Sequence, residues 1–119
     1  MFTIGISFNF EAGHFLTGLP DSHKCSRQHG HNYIVEIEAK SSTLNDVGFV
    51  IDYFDLLPIK LWVNDNWDHQ NLNDVVMFNP TVELLAKELF EIWQPQIPMI
   101  SAVTIRETPT TFARYELDR

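Results

Sequence analysis

Apolar side chains fall on every second position from the start of the chain. Phe2, Ile4, Ile6, Phe8, Phe10 and Ala12 share one parity with His14, while Thr3, Gly5, Ser7, Asn9 and Glu11 take the other. A period of two marks a strand with one buried face, so the spacing predicts a strand over 2–14 that ends on a histidine. The Gly-, Pro-, Asp- and Ser-bearing stretch TGLPDSHK reads as a loop. Alternation resumes in HGHNYIVEIEAK, with His29, His31, Tyr33, Val35, Ile37 and Ala39 on one face and Asn32, Glu36, Glu38 and Lys40 mostly on the other. SSTLNDVG is a turn, and Phe49 to Ile51 extend the ladder briefly before Asp52, a good N-cap, opens the helical segment DYFDLLPIKLWVNDNW. Pro58 has no amide donor and clashes with the preceding turn, so this segment kinks or starts its helix late.

The period changes in NPTVELLAKELFEIW, where Val82, Leu85, Ala86, Leu89 and Trp93 form an apolar stripe, Asn79 or Thr81 can cap, and Pro80 suits a first turn. Pro95 and Pro98 stop that helix. SAVTIRET and TFARYELD return to strand around a short turn at Pro109. The predicted order is strand, strand, helix, helix, strand, strand. This is an α+β plan without repeats or linkers, one domain over 1–119.

Composition narrows the function classes. With 119 residues, 45% hydrophobic and 20% charged, the chain has the apolar content of an ordinary packed core. A single cysteine cannot form an internal disulfide, so nothing asks for an oxidising compartment. The N-terminus lacks a basic segment followed by an apolar one, and no apolar run reaches membrane-spanning length. The expectation is a soluble cytoplasmic protein with no membrane partner. The formal charge of −8, from 16 acidic against 8 basic side chains, opposes sequence-independent nucleic-acid binding, which is driven by Lys and Arg displacing phosphate counterions. A small anionic ligand would need local positive charge acting against that net field.

The candidate chemistry clusters in CSRQHGH. His29 and His31 project from one face of a strand, and His14 ends a neighbouring one. Three imidazoles from two adjacent strands can converge at about 2.0–2.1 Å from one zinc ion, leaving the open fourth position typical of catalytic zinc. The bland alternative is three histidines in ordinary hydrogen bonds. Cys25 is either a fourth ligand that closes the site or a free thiol beside the metal, made more acidic by Lys24, Arg27 and the ion. In the polar loop WDHQNLND, Asp68 could orient His69 and raise its basicity for acid/base work, or both could simply be turn residues. His23 has no partner pattern and reads as a solvated loop residue. Glu107 shares parity with Val103 and Ile105, so its carboxylate needs a partner: Arg106, Arg114, or a ligand offering two parallel N–H donors.

FNFEAGHFL, HKCSRQHGHNY, GFVIDYFDL, DHQNLND, NPTVELLAKEL and VTIRETPT, in that order, resemble the 6-pyruvoyltetrahydropterin and 6-carboxytetrahydropterin synthase family from end to end. The resemblance implies the tunnelling fold, a four-stranded antiparallel sheet with two helices on one face (ββααββ), whose subunits join edge to edge into trimers that stack as a homo-hexamer. It implies a lyase with zinc held by His14, His29 and His31, Cys25 as proton-abstracting base, Asp68 and His69 as its acid/base partner, and Glu107 gripping the pterin. The implied substrate is 7,8-dihydroneopterin triphosphate. The three-residue gap between Cys25 and His29 and the short chain resemble the carboxy-forming bacterial branch, which leads to queuosine. Phe15 departs from the pattern where some members carry arginine, and the phosphate contacts stay open among Lys24, Arg27 and Arg114.

Overall fold

The computed structural model describes residues 1–118. Strand β1 (Phe2–His14) pairs with β2 (His29–Ser41) along its whole length, from Phe2 opposite Ser41 to His14 opposite His29. The even positions of β1 and odd positions of β2 therefore share a face, and on it Phe8, Phe10, Ala12, Tyr33, Val35, Ile37 and Ala39 are buried. Phe10 and Tyr33, directly opposite, stack with ring centroids 4.7 Å apart. Strand β4 (Ile100–Thr108) continues the sheet beyond β2, and β5 (Thr111–Glu116) forms its outer edge.

Two expectations about the sheet need correction. It has five strands rather than four and is mixed rather than antiparallel, because β3 (Gln70–Asn71) pairs parallel to Ala12 and Gly13, giving the order β3-β1-β2-β4-β5. His69 turns the chain into this pairing with a φ of 59°. Phe49 to Ile51 form no strand; Asn45 instead folds that segment back, its side chain accepting from the amides of Val47 and Phe49.

Among the described residues there are three α-helices rather than two. Asp52 caps a 3-10 turn over Tyr53–Leu56 by accepting from the Phe54 amide, and α1 (Leu57–Asn66) starts late, with Pro58 in its first turn, where a missing N–H costs nothing. A short α2 (Leu72–Val75) follows β3. In α3 (Val82–Trp93) the cap is Thr81, whose hydroxyl accepts from the Leu84 amide, so Pro80 stands just outside the helix. Leu85, Ala86, Leu89 and Phe90 of α3 join Ile59, Val63 and Trp67 over the apolar face of the sheet. Among the described residues no helix is long and apolar enough to cross a membrane.

Candidate metal centre and active site

Pairing β1 with β2 in this register places His14 opposite His29 and Ala12 opposite His31, so three imidazoles cap one end of the buried face. Their candidate ligand nitrogens lie within 4.8 Å of one another. His14 Nδ1 lies 2.8 Å from the Pro80 carbonyl and His29 Nδ1 lies 2.7 Å from the Arg27 carbonyl. A carbonyl only accepts, so each Nδ1 carries the proton and each Nε2 presents a lone pair. These two Nε2 atoms stand 3.0 Å apart. Two lone pairs at that distance repel unless a cation lies between them, either a proton carried by one ring as a hydrogen bond to the other or a metal ion. Tetrahedral zinc with Zn–N of about 2.0–2.1 Å would hold neighbouring ligands about 3.4 Å apart, so the His14–His29 pair already has the spacing such an ion needs, and the three ligand atoms, all within 4.8 Å of one another, complete a donor set of the right chemistry. Burial pushes His14 and His31 below the ordinary imidazole range, opposed chiefly by the Pro80 carbonyl at His14 and by Glu107 at His31, and this favours the neutral, metal-binding form.

Cys25 sits half-buried in a 3-10 turn (Lys24–Ser26) beside this cluster. Its carbonyl accepts from the Leu16 amide at 2.8 Å, and its amide donates to His23 Nδ1 at 3.0 Å. His23 is exposed, as a solvated loop residue should be, and it also caps the turn that presents the thiol. A groove of about 480 Å³ is lined by Lys24, Cys25, Arg27, His29, His31 and Glu107. Glu107 Oε2 lies 3.7 Å from His31 Nε2 and 4.0 Å from His14 Nε2. Neither expected arginine pairs with it. Arg106 binds Glu36 at 3.0 Å, and Arg114 is held by Glu38 and Glu116. With both its sides engaged by carboxylates, Arg114 is a poor phosphate contact, while Lys24 and Arg27 face the groove.

Asp68 and His69 do touch through their side chains: Asp68 Oδ2 is 2.9 Å from His69 Nδ1. β1 anchors this corner. The Glu11 amide donates to Asp68 Oδ1 at 2.8 Å, and the His69 amide donates to the Glu11 carbonyl at 2.6 Å. The Glu11 amide, and then the His69 ring, hold the Asp68 carboxyl below its usual range; the Asp68 hydrogen bond holds His69 above the usual imidazole value. His69 is exposed and lines a second groove, of about 510 Å³, together with Glu11, Gly30, His31 and Asn32. Within one chain the Cys25 groove and the His69 groove share His31 alone among their lining residues.

Residues 3–118 match the family profile described as 6-pyruvoyl tetrahydropterin synthase. The chain belongs to this family. It is similar to the 6-carboxy-5,6,7,8-tetrahydropterin synthase of Bacillus subtilis (strain 168), 32% identical over 127 residues that span 96% of this chain and 84% of the relative. A 6-pyruvoyl tetrahydrobiopterin synthase of Dictyostelium discoideum is 34% identical over 98 residues, 77% of this chain and 73% of that one. Among solved structures, the 6-pyruvoyl tetrahydropterin synthase of Caenorhabditis elegans superposes with a TM-score of 0.86 at 28% identity, covering 98% of this chain and 96% of its own.

In this 6-pyruvoyl tetrahydropterin synthase family member, several site-building residues escape a reading of the sequence. Asn73 grips both backbone groups of Phe15, accepting from its amide at 2.9 Å and donating to its carbonyl at 3.0 Å. Asn79 does the same for Thr17, at 2.9 and 3.2 Å. The loop that leaves His14 is therefore clamped twice by side chains standing in for strand partners. The only signal was the pair of asparagines in LND and NPT, and asparagine in such stretches ordinarily reads as a local turn residue.

Proposed function

We propose that this protein is a zinc-dependent 6-carboxy-5,6,7,8-tetrahydropterin synthase that converts 7,8-dihydroneopterin triphosphate to 6-carboxytetrahydropterin, acetaldehyde and triphosphate for queuosine and deazaguanine synthesis. The observation that carries this reading is the convergence of two lone-pair Nε2 atoms, with His31 beside them, on the groove that also holds Cys25 and Glu107. His14, His29 and His31 would hold the metal, which when bound supplies Lewis acidity to the oxygens of the substrate side chain. Glu107 accepts two parallel N–H groups from the aminopyrimidinone edge. Cys25 takes a proton from the substrate side chain, and His69, oriented by Asp68, moves the matching proton on the other side. Lys24 and Arg27 offset the triphosphate charge locally in an otherwise acidic chain.

The site is completed by a second chain. β1 runs toward the end of the sheet that bears His14 and β5 runs away from it, so the free edges of two copies can join antiparallel with those ends aligned. Such a joint brings the His69 of one copy toward the Cys25 and Glu107 groove of the next, within the homo-hexamer proposed here. Pyruvoyl formation from the same substrate is the second reading, favoured by the Dictyostelium and Caenorhabditis similarities. Mass spectrometry of the products decides: carboxytetrahydropterin with acetaldehyde is expected, and a pyruvoyl product assigns the other branch. Cys25→Ala should keep stoichiometric zinc and the native oligomer yet lose turnover; loss of zinc together with the fold would make the thiol a structural ligand.

A further inference from the structure

Glu11 is one of the exposed residues of β1 whose parity gives them no part in the core, yet it makes three separate approaches to the Asp68–His69 corner. Its amide binds Asp68 and its carbonyl binds the His69 amide. Its carboxylate Oε2 lies 3.5 Å from His69 Nε2, the ring nitrogen that Asp68 leaves open. One bond goes to the Asp68 side chain and the other joins the two backbones, and together they flank His69 at a φ of 59°, a left-handed conformation uncommon for a residue with a Cβ. They also place the Glu11 side chain alongside the ring.

Asp68 therefore faces one nitrogen of the imidazole and Glu11 the other. A neutral imidazole has a single N–H and can satisfy one of the two carboxylates; only the doubly protonated ring satisfies both. We infer that Glu11 is a positioning residue for His69, closing a carboxylate–imidazole–carboxylate bracket that fixes the ring's orientation and keeps it in the proton-carrying form. The charged groups facing the ring are Asp68 and Glu11, with His31 elsewhere along the same groove and Gln70 and Asn32 as neutral neighbours. Both carboxylates act in the same direction on His69, Asp68 more strongly and Glu11 less. In the role proposed above, His69 then begins the reaction as a proton donor, and the substrate oxygen that receives the proton takes the place of Glu11 Oε2 at the ring.

The inference rests on the acid/base reading of His69, and the test separates the two. Glu11→Gln and Glu11→Asp are made in the full-length, zinc-loaded protein. The His69 ring is titrated by NMR in histidine-labelled protein, with His69→Ala identifying its signal, and triphosphate release from dihydroneopterin triphosphate is followed against pH. In Glu11→Gln the His69 midpoint should move to lower pH and the rate profile should move with it. Turnover just above neutral pH should fall on the order of two- to threefold, as suits an exposed ion pair, while Glu11→Asp keeps most of it. An unchanged midpoint in Glu11→Gln overturns the bracket. Equal losses in both variants with an unmoved rate profile also overturn it, reducing Glu11 to a backbone support. A midpoint that falls while the rate profile stays fixed supports the bracket and overturns instead the acid/base role of His69.

Discussion

At the scale of single residues, the direction of each hydrogen bond decides what an imidazole can do. Carbonyls at Nδ1 of His14 and His29 free their Nε2 atoms for a metal, whereas a carboxylate at Nδ1 of His69 raises its hold on a second proton. That difference sets a pH test. His69 binds its proton more tightly in the folded chain than its ordinary value of 6.5, so its contribution to stability is full below pH 6.5 and fades as pH rises through the raised folded value. Asp68 sits below its ordinary 3.8, so its contribution is full above that pH and fades as pH falls through the depressed value. Asp68→Asn should therefore destabilise most between those two limits in chemical denaturation, and the gap from the native protein should close in strong acid. It should also shift His69 titration to lower pH. His29 and His31 were legible as a pair because strand parity puts them on one face, and His14 as a third because it ends a neighbouring strand, although its meeting with His29 depends on the β1–β2 register. Glu11 was not, because its partner stands 57 positions away and no periodicity links them.

At the scale of elements, Asn79, Pro80 and Thr81 perform three tasks in consecutive positions. Asn79 clamps the loop after β1, the Pro80 carbonyl orients His14, and Thr81 caps α3. The helix start is thereby tied to the histidine cluster. Thr81→Ala should cost about 1 kcal/mol of stability and also weaken zinc retention. Leu89→Ala, inside the same helix but among core residues, should cost about 2–5 kcal/mol while leaving zinc retention unchanged. Melting curves with chelator competition separate the two effects. The long elements β1, β2 and α3 were readable because each repeats its period several times. The two-residue β3 and four-residue α2 are too short to show one, and they depend on the left-handed turn at His69, a geometry that no rule of composition anticipates there.

At the scale of the whole molecule, every candidate group gathers at one end of the sheet, but the groups divide between two grooves. If neighbouring copies complete each site, two inactive proteins should rescue one another. Cys25→Ala and His69→Ala, denatured together in equal amounts and refolded, should recover about a quarter of native activity, since a quarter of the joints then pair an intact thiol with an intact imidazole. Each variant alone should stay inactive, and absence of recovery in the mixture would place the complete site within one chain. This division was invisible in the sequence, where Cys25 and His69 are simply two motifs in order. The outer edge of β1 from Phe2 to Phe10 has no strand beside it among the described residues, and its side chains alternate between aromatic or branched apolar groups and small polar ones. An uncovered edge of that length and character is a template for uncontrolled strand addition, so ring closure would also serve as protection: a subunit unable to find its neighbours would be lost to aggregation before its inactivity could matter.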